Sequence, residues 1–356
     1  MSDFIISGIQ QVGVGTVDFR KSWDWFIKHF GFDIRILEDD TVAERMLPYT
    51  GGKAQKRHAC IAANLNGGGG LEIWQYSERT PKSPERPAET GDLGIWAAKV
   101  RCRGVDKFRQ QLISRGISAS PVAPGPDNVK CFYVRDLYDN IFQIVDDSGT
   151  FIRQKTLCGG IAGAMIGVTD MQRSIDFYRD VLGYDTVKYD VAGVQSDWEW
   201  LPCGGQAYRR VQLACSKAPA GAFSGLFGPN SIELVQALDR QPVRIFEGRY
   251  WGDPGFIQVC YDVIGMDAFG RHCAAKGHPF TVDSCPDGEI FDMGDASGRF
   301  TYTEDPDGTL LEFVETYKVP VAKKLGWNID MARRNAAKPL PKFLFRAMGL
   351  ISREKA

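Results

Sequence analysis

The sequence predicts an α+β fold of four successive units, each a strand, a helix and three further strands. Three observations carry this. The segment Asp18-Phe-Arg-Lys-Ser-Trp-Asp-Trp-Phe-Ile-Lys-His-Phe-Gly-Phe-Asp33 recurs as Asp170-Met-Gln-Arg-Ser-Ile-Asp-Phe-Tyr-Arg-Asp-Val-Leu-Gly-Tyr-Asp185, with Asp, Ser, Asp, Gly and Asp in matching places. Gly104-Val-Asp-Lys-Phe108 is answered by Gly265-Met-Asp-Ala-Phe269. Asp136-Leu-Tyr-Asp-Asn-Ile-Phe-Gln-Ile-Val145 is answered by Asp305-Pro-Asp-Gly-Thr-Leu-Leu-Glu-Phe-Val314. A repeat of fixed period sets the architecture before any single element is assigned.

The units fall near residues 7–78, 92–148, 159–238 and 254–317. In the first, Ile9 to Val17 reads as a strand, and Phe19 to Phe30 has helical apolar spacing closed by Gly31 as a C-cap. Arg57–Ala63 and Leu71–Gln75 read as later strands, with Gly67–Gly70 as the turn between them. Proline and charge mark the joints at Thr80–Pro87 and from Asp239 to Pro242, and residues 149–158 connect the halves. This gives a first domain over 1–150, a second over 151–318 and a tail over 319–356. The tail carries nine Lys/Arg against two acids and the apolar-basic run Pro341–Ile351. Such a helix can lie on a membrane, but the preferred reading packs it across the domains or against a homodimer partner.

Composition narrows the function. At 356 residues the chain can bury a large core, and its net charge of −1 lacks the basic footprint of a nucleic-acid binder. No apolar run is long enough to span a bilayer, and the first residues lack the pattern of a signal peptide. Nine scattered cysteines with no CxxC pair read as reduced packing residues of a cytoplasmic protein.

The run Val168-Thr-Asp170, Ser174, Phe177-Tyr178, Gly183, together with the Asp305-Pro-Asp-Gly308 turn before Leu-Leu-Glu312, resembles the vicinal oxygen chelate superfamily. Glyoxalase I, bleomycin-resistance proteins and extradiol dioxygenases belong to that superfamily. The resemblance covers about residues 7 to 317 and implies two glyoxalase-like domains with open, curled mixed sheets around a metal. It also implies two ligand positions per unit, one in the first strand and one in the last. They fall on Gln11 and Glu72, Ile95 and Gln143, Gly163 and Glu233, and Gln258 and Glu312. Pairing within each half leaves both sets incomplete. Pairing unit one with unit four gives Gln11/Glu72/Gln258/Glu312 without a gap and leaves Gln143 and Glu233 in a second, catalytically dead site. There, Gly163 would leave room for an organic molecule.

Two carboxylates and two amide oxygens form a hard donor set that suits Mn²⁺, Mg²⁺ or Ca²⁺. In related isomerases a carboxylate beside the metal moves a proton next to a carbonyl, a part open here to Glu312 or Glu72. Trp74 and Tyr76 share the face of Glu72 and would line the cup around a small molecule. His58, on an inner strand, is a further candidate base. His29 is expected at the surface, and His272 and His278 as structural residues. The missing histidines argue against a dioxygenase. Asp283–Asp292 lacks calcium-loop spacing and reads as a solvated loop. The expected function is a metal-assisted glyoxalase-like lyase or isomerase acting on a small carbonyl compound, or else metal-free binding of a small molecule, as in resistance proteins.

Overall fold

A computed structural model describes residues 3–286, 291–292, 297–322, 327–331 and 333–356. The first unit holds β1 (Ile5–Gly15), α1 (Phe19–Phe30), β2 (Ile34–Val42), β3 (Lys56–Ala63) and β4 (Gly70–Tyr76). The second holds β5 (Gly94–Cys102), α2 (Val105–Ser114), β6 (Ala123–Pro124), β7 (Lys130–Arg135) and β8 (Ile141–Asp146). The third holds β9 (Cys158–Gly167), α3 (Met171–Leu182), β10 (Thr186–Val194), β11 (Ala207–Ala214), a one-turn α4 (Ser224–Phe227) and β12 (Ser231–Ala237). The fourth holds β13 (Gly255–Ile264), α5 (Met266–Ala275), β14 (Val282–Asp283), β15 (Phe291–Asp292), β16 (Ser297–Glu304) and β17 (Leu310–Ala322). A strand β18 (Trp327–Asp330) and a helix α6 (Lys342–Ile351) follow.

The repeated residues do repeated structural work. Asp18 and Asp170 cap α1 and α3, each carboxylate accepting from the backbone N–H three residues on over 3.0 Å. A cap of this kind contributes about 1 kcal/mol. Gly31 and Gly183 close the same helices at φ 75° and 78°, where a side chain would be strained. The Asp136 and Asp305 carboxylates each accept two backbone N–H groups of their own turn and thereby fix the entry into β8 and β17.

Two open, curled mixed sheets result, with strand orders β14-β16-β17-β13-β1-β4-β3-β2 and β10-β11-β12-β9-β5-β8-β7-β6; β15 and β18 attach to the first through β16 and β17. Unit one therefore pairs with unit four, and unit two with unit three. The boundary between 1–150 and 151–318 divides the sequence repeat but not the sheets, because each half supplies one unit to each sheet. Helices and convex sheet faces share a core. Phe142 of unit two packs against Phe26 and Phe30 of unit one at 5.6 and 5.3 Å, and against Phe256 of unit four at 5.2 Å.

The Gly67–Gly70 turn joins the sheets. Gly69 and Ile161 exchange two backbone hydrogen bonds of 2.8 Å, and Gly160 N–H donates to the Gly67 carbonyl over 2.8 Å. A Cβ on Gly68 would stand 2.5 Å from the Gly160 carbonyl carbon, so only glycine permits this approach. Helix α6 packs Phe345 against Phe151 and Phe223, residues from the connector between the halves and from unit three. Among the described residues no helix is long and apolar enough to cross a membrane.

Candidate functional site

Pairing units one and four brings Gln11, Glu72, Gln258 and Glu312 together. In the parallel ladders Glu72 stands beside Gly13 and Glu312 beside Cys260, while Gln258 lies opposite Gly13 across the antiparallel seam. The Gln258 amide nitrogen donates to Glu72 Oε2 over 2.8 Å and to Glu312 Oε2 over 3.2 Å. Its oxygen accepts from Trp251 Nε1 over 2.7 Å. The Gln11 amide bonds Glu72 as well, and its Oε1 is buried without a partner. Gly13 is required here because a Cβ would stand 2.9 Å from the Gln258 side chain.

Burial and the neighbouring Glu312 push the Glu72 carboxyl up to about 8, against the pull of Arg57. Burial raises Glu312 too, although Cys260, Tyr302 and Gln258 hydrogen-bond it. Two buried carboxyls that share one amide nitrogen oppose each other's charge, which favours a proton on the pair.

Strand alternation sorts the other candidates. Arg57, Ala59 and Ile61 lie opposite Tyr76, Trp74 and Glu72 and share the concave face with them. Trp74 and Tyr76 are buried and belong to an aromatic cluster with Trp251 and Tyr302. Trp74 meets Trp251 at 4.6 Å, and the Tyr76 hydroxyl donates to the Trp251 carbonyl oxygen. These rings fill the cup beside the carboxyls. His58 points to the opposite face, bonds Glu38 over 3.0 Å and packs edge-on against Phe19 at 4.2 Å. It does not reach Glu72.

Sequence reasoning passed over Arg57, whose charge bears on both carboxyls and which pairs with Asp39. The signal was available in the alternation Arg57, Ala59, Ile61. Trp251, in the connector before unit four, carried no such signal. His29, expected at the surface, is buried beside Trp25, and burial with Arg115 and Lys28 lowers it to about 4. Asp283 is paired with Arg299; residues 287–290 of that loop lie outside the described residues.

A divalent ion would need the Gln258 oxygen turned toward Glu72 and Glu312. Trp251 holds that oxygen, so the amide NH₂ occupies the space between the carboxylates. Turning the amide would set one N–H donor against another. The donor set as arranged does not fit a divalent ion.

The cup of units two and three is built differently. Ile95 belongs to the core on the helix side of the sheet; the inward positions of β5 are Ala97 and Lys99, because a bulge between Ile95 and Ala97 shifts the register. Gly163 leaves no ligand space, since a Cβ there would stand 2.0 Å from the Ser231 carbonyl oxygen. Glu233 is fully buried between two cations. Lys99 Nζ donates to its Oε2 over 2.7 Å, and Arg210 Nε to its Oε1 over 2.7 Å. Arg210 also bonds Asp197 over 2.7 Å and lies 3.9 Å from the Trp198 ring. Burial alone would raise Glu233, but Arg210 and Lys99 outweigh it and hold the carboxyl down to about 2. Gln143 donates to the Tyr133 hydroxyl over 2.8 Å.

The Glyoxalase/Bleomycin resistance protein/Dioxygenase superfamily model matches residues 160–313. A single-residue variant of glyoxalase I from Zea mays superposes with a TM-score of 0.54 at 13% identity, over 88% of this chain and 94% of the other. Unaltered glyoxalase I from Zea mays gives 0.53 at 13% identity over 86% and 92%. A Bacillus subtilis protein provisionally assigned to the dioxygenases gives 0.56 at 11% identity over 87% and 86%. The sequence matches no curated protein. Residues 160–313 therefore carry the sequence pattern of that superfamily, and the chain as a whole shares the fold of these structures. At these identities the structural likeness defines the fold, and the reaction has to be argued from the site.

Proposed function

We propose that the chain is a glyoxalase-like enzyme that moves a proton on a carbon next to the carbonyl of a small molecule, with Glu72 and Glu312 as the acid–base pair. One observation carries this reading: both carboxyls bond the single amide nitrogen of Gln258, in surroundings that keep one proton on the pair near neutral pH. A pair with one carboxyl protonated and one ionised can accept a proton on one side of a carbon and return it on another. Arg57 supplies a cation on the same face to stabilise the enolate oxygen. The free cysteines support a reducing compartment such as the cytoplasm.

The test is solvent deuterium exchange into dihydroxyacetone, followed by NMR. The wild type is expected to catalyse it, and Glu72→Gln and Glu312→Gln to lose about 10²-fold or more. Exchange that is absent, or unchanged in both variants, overturns the reading. Mn²⁺ retained through dialysis by the wild type but not by Glu72→Ala/Glu312→Ala would overturn the metal-free form and restore a four-oxygen centre.

A further inference from the structure

The cup of units two and three opens on a cavity of about 420 Å³ whose lining includes Lys99, Gln143, Lys188, Tyr189, Arg210 and Gln212. From the hydrogen-bonding capacity left over in this cavity, we infer that it is a second, metal-free binding site, for a small hydroxycarboxylate.

Every carboxylate in and beneath the cavity accepts a hydrogen bond, Glu233, Asp197 and Asp147 from cations and the exposed Asp127 and Asp146 from backbone N–H groups. Glu233 spends one oxygen on Lys99 and the other on Arg210. Asp197 takes Arg210 on Oδ1 and the Tyr133 hydroxyl, at 3.4 Å, on Oδ2. Asp147 is bound to Arg101. Asp127 accepts from the Val129 N–H and Asp146 from the Gly104 N–H.

The donors are not exhausted. An ammonium has three N–H bonds, and Lys99 uses two, on Glu233 and on Gln212 Oε1 at 2.5 Å. Arg210 is wholly buried, yet its Nη2 has no partner. Lys188 stands exposed at the mouth and makes no ion pair among the described residues. A ligand rich in acceptors and negatively charged satisfies these groups, which describes a carboxylate. One acceptor also waits: Gln143 Oε1, buried and unpartnered. A hydroxyl near the carboxylate would donate to it. Buried groups left without partners are costly, so a ligand that completes them gains specificity. Nothing here calls for covalent chemistry; burial pushes the Cys131 thiol up to about 12.

This site does not depend on the acid–base pair of the other cup. The experiment is calorimetric titration of the full chain with glycolate, acetate and methyl glycolate. Glycolate is expected to bind, acetate to bind about tenfold more weakly without its hydroxyl, and the uncharged ester not at all. Lys99→Met should weaken glycolate about tenfold or more. Lys188→Ala, at the surface and without a folding role, should weaken it about threefold and steepen no other property. Glu312→Gln should leave the affinity for glycolate intact. No glycolate binding by the wild type at about 10 mM, or equal binding of glycolate by the wild type and both lysine variants, would overturn the inference.

Discussion

Trp251 and Gln258 are joined by a 2.7 Å bond from the indole N–H to the amide oxygen, and this bond sets which end of Gln258 faces the two carboxyls. Its removal should be measurable. Trp251→Phe keeps most of the ring contact with Trp74 but leaves the Gln258 oxygen buried without a donor. The expected loss is roughly 1–3 kcal/mol in urea unfolding. A loss no larger than that of an exposed aromatic such as Phe343 would mean that Gln258 is oriented by other contacts.

The Glu72 carboxyl, raised from 4.5 to about 8, gives stability a defined pH dependence. Between those values the folded protein holds a proton that the unfolded chain releases. The contribution is therefore fully present below about pH 4.5 and is lost as pH rises through 8. Urea midpoints measured from pH 5 to 9 should fall, and Glu72→Gln should flatten the slope. A rising midpoint in the wild type would contradict the assignment.

Glu233 acts in the opposite sense. Its carboxyl is held down to about 2, so its contribution is present above about pH 4.5 and is lost as pH falls toward 2. Glu233→Ala strands two buried cations, Lys99 and Arg210, and should cost about 3–5 kcal/mol. Thermal unfolding at pH 7 and pH 3 would show the difference between variant and wild type shrinking at the lower value.

Gly68→Ala should be among the most damaging small substitutions. The residue sits at φ 113°, and a Cβ would press on backbone atoms of Gly160, which cannot swing aside. The expected cost is roughly 3–5 kcal/mol. Gly104→Ala is the control: its φ of 84° is also strained for alanine, but a Cβ there meets open space, so about 1 kcal/mol is expected. Equal costs at the two sites would show that strain, and not the close approach, governs both.

Much of the fold could be read from the chain because its repeats consist of residues with local duties. Asp18, Gly31, Gly104 and the Asp305 turn each satisfy or bend a nearby stretch of backbone, so their spacing survives in the sequence. The inward positions were harder to see. Alternation placed Glu72 with Trp74, but His58, taken as a candidate base, lies on the other face of its strand. The same rule missed Lys99, because a bulge in β5 breaks the count and moves Ile95 to the other face. Trp251 could not be found at all, since it reaches the site from an irregular connector whose path only the folded chain defines.

The nested pairing of units, two with three inside one with four, fixes an order of events during synthesis. Unit three follows unit two directly, so the inner sheet can close while the remainder of the chain is still being made. Strand β1 has no such option. Its antiparallel neighbour β13 ends at Ile264, so β1 keeps one edge bare until that strand has been made. Such edges invite pairing with other chains. Unit one thus depends on staying unpaired along that edge until unit four arrives.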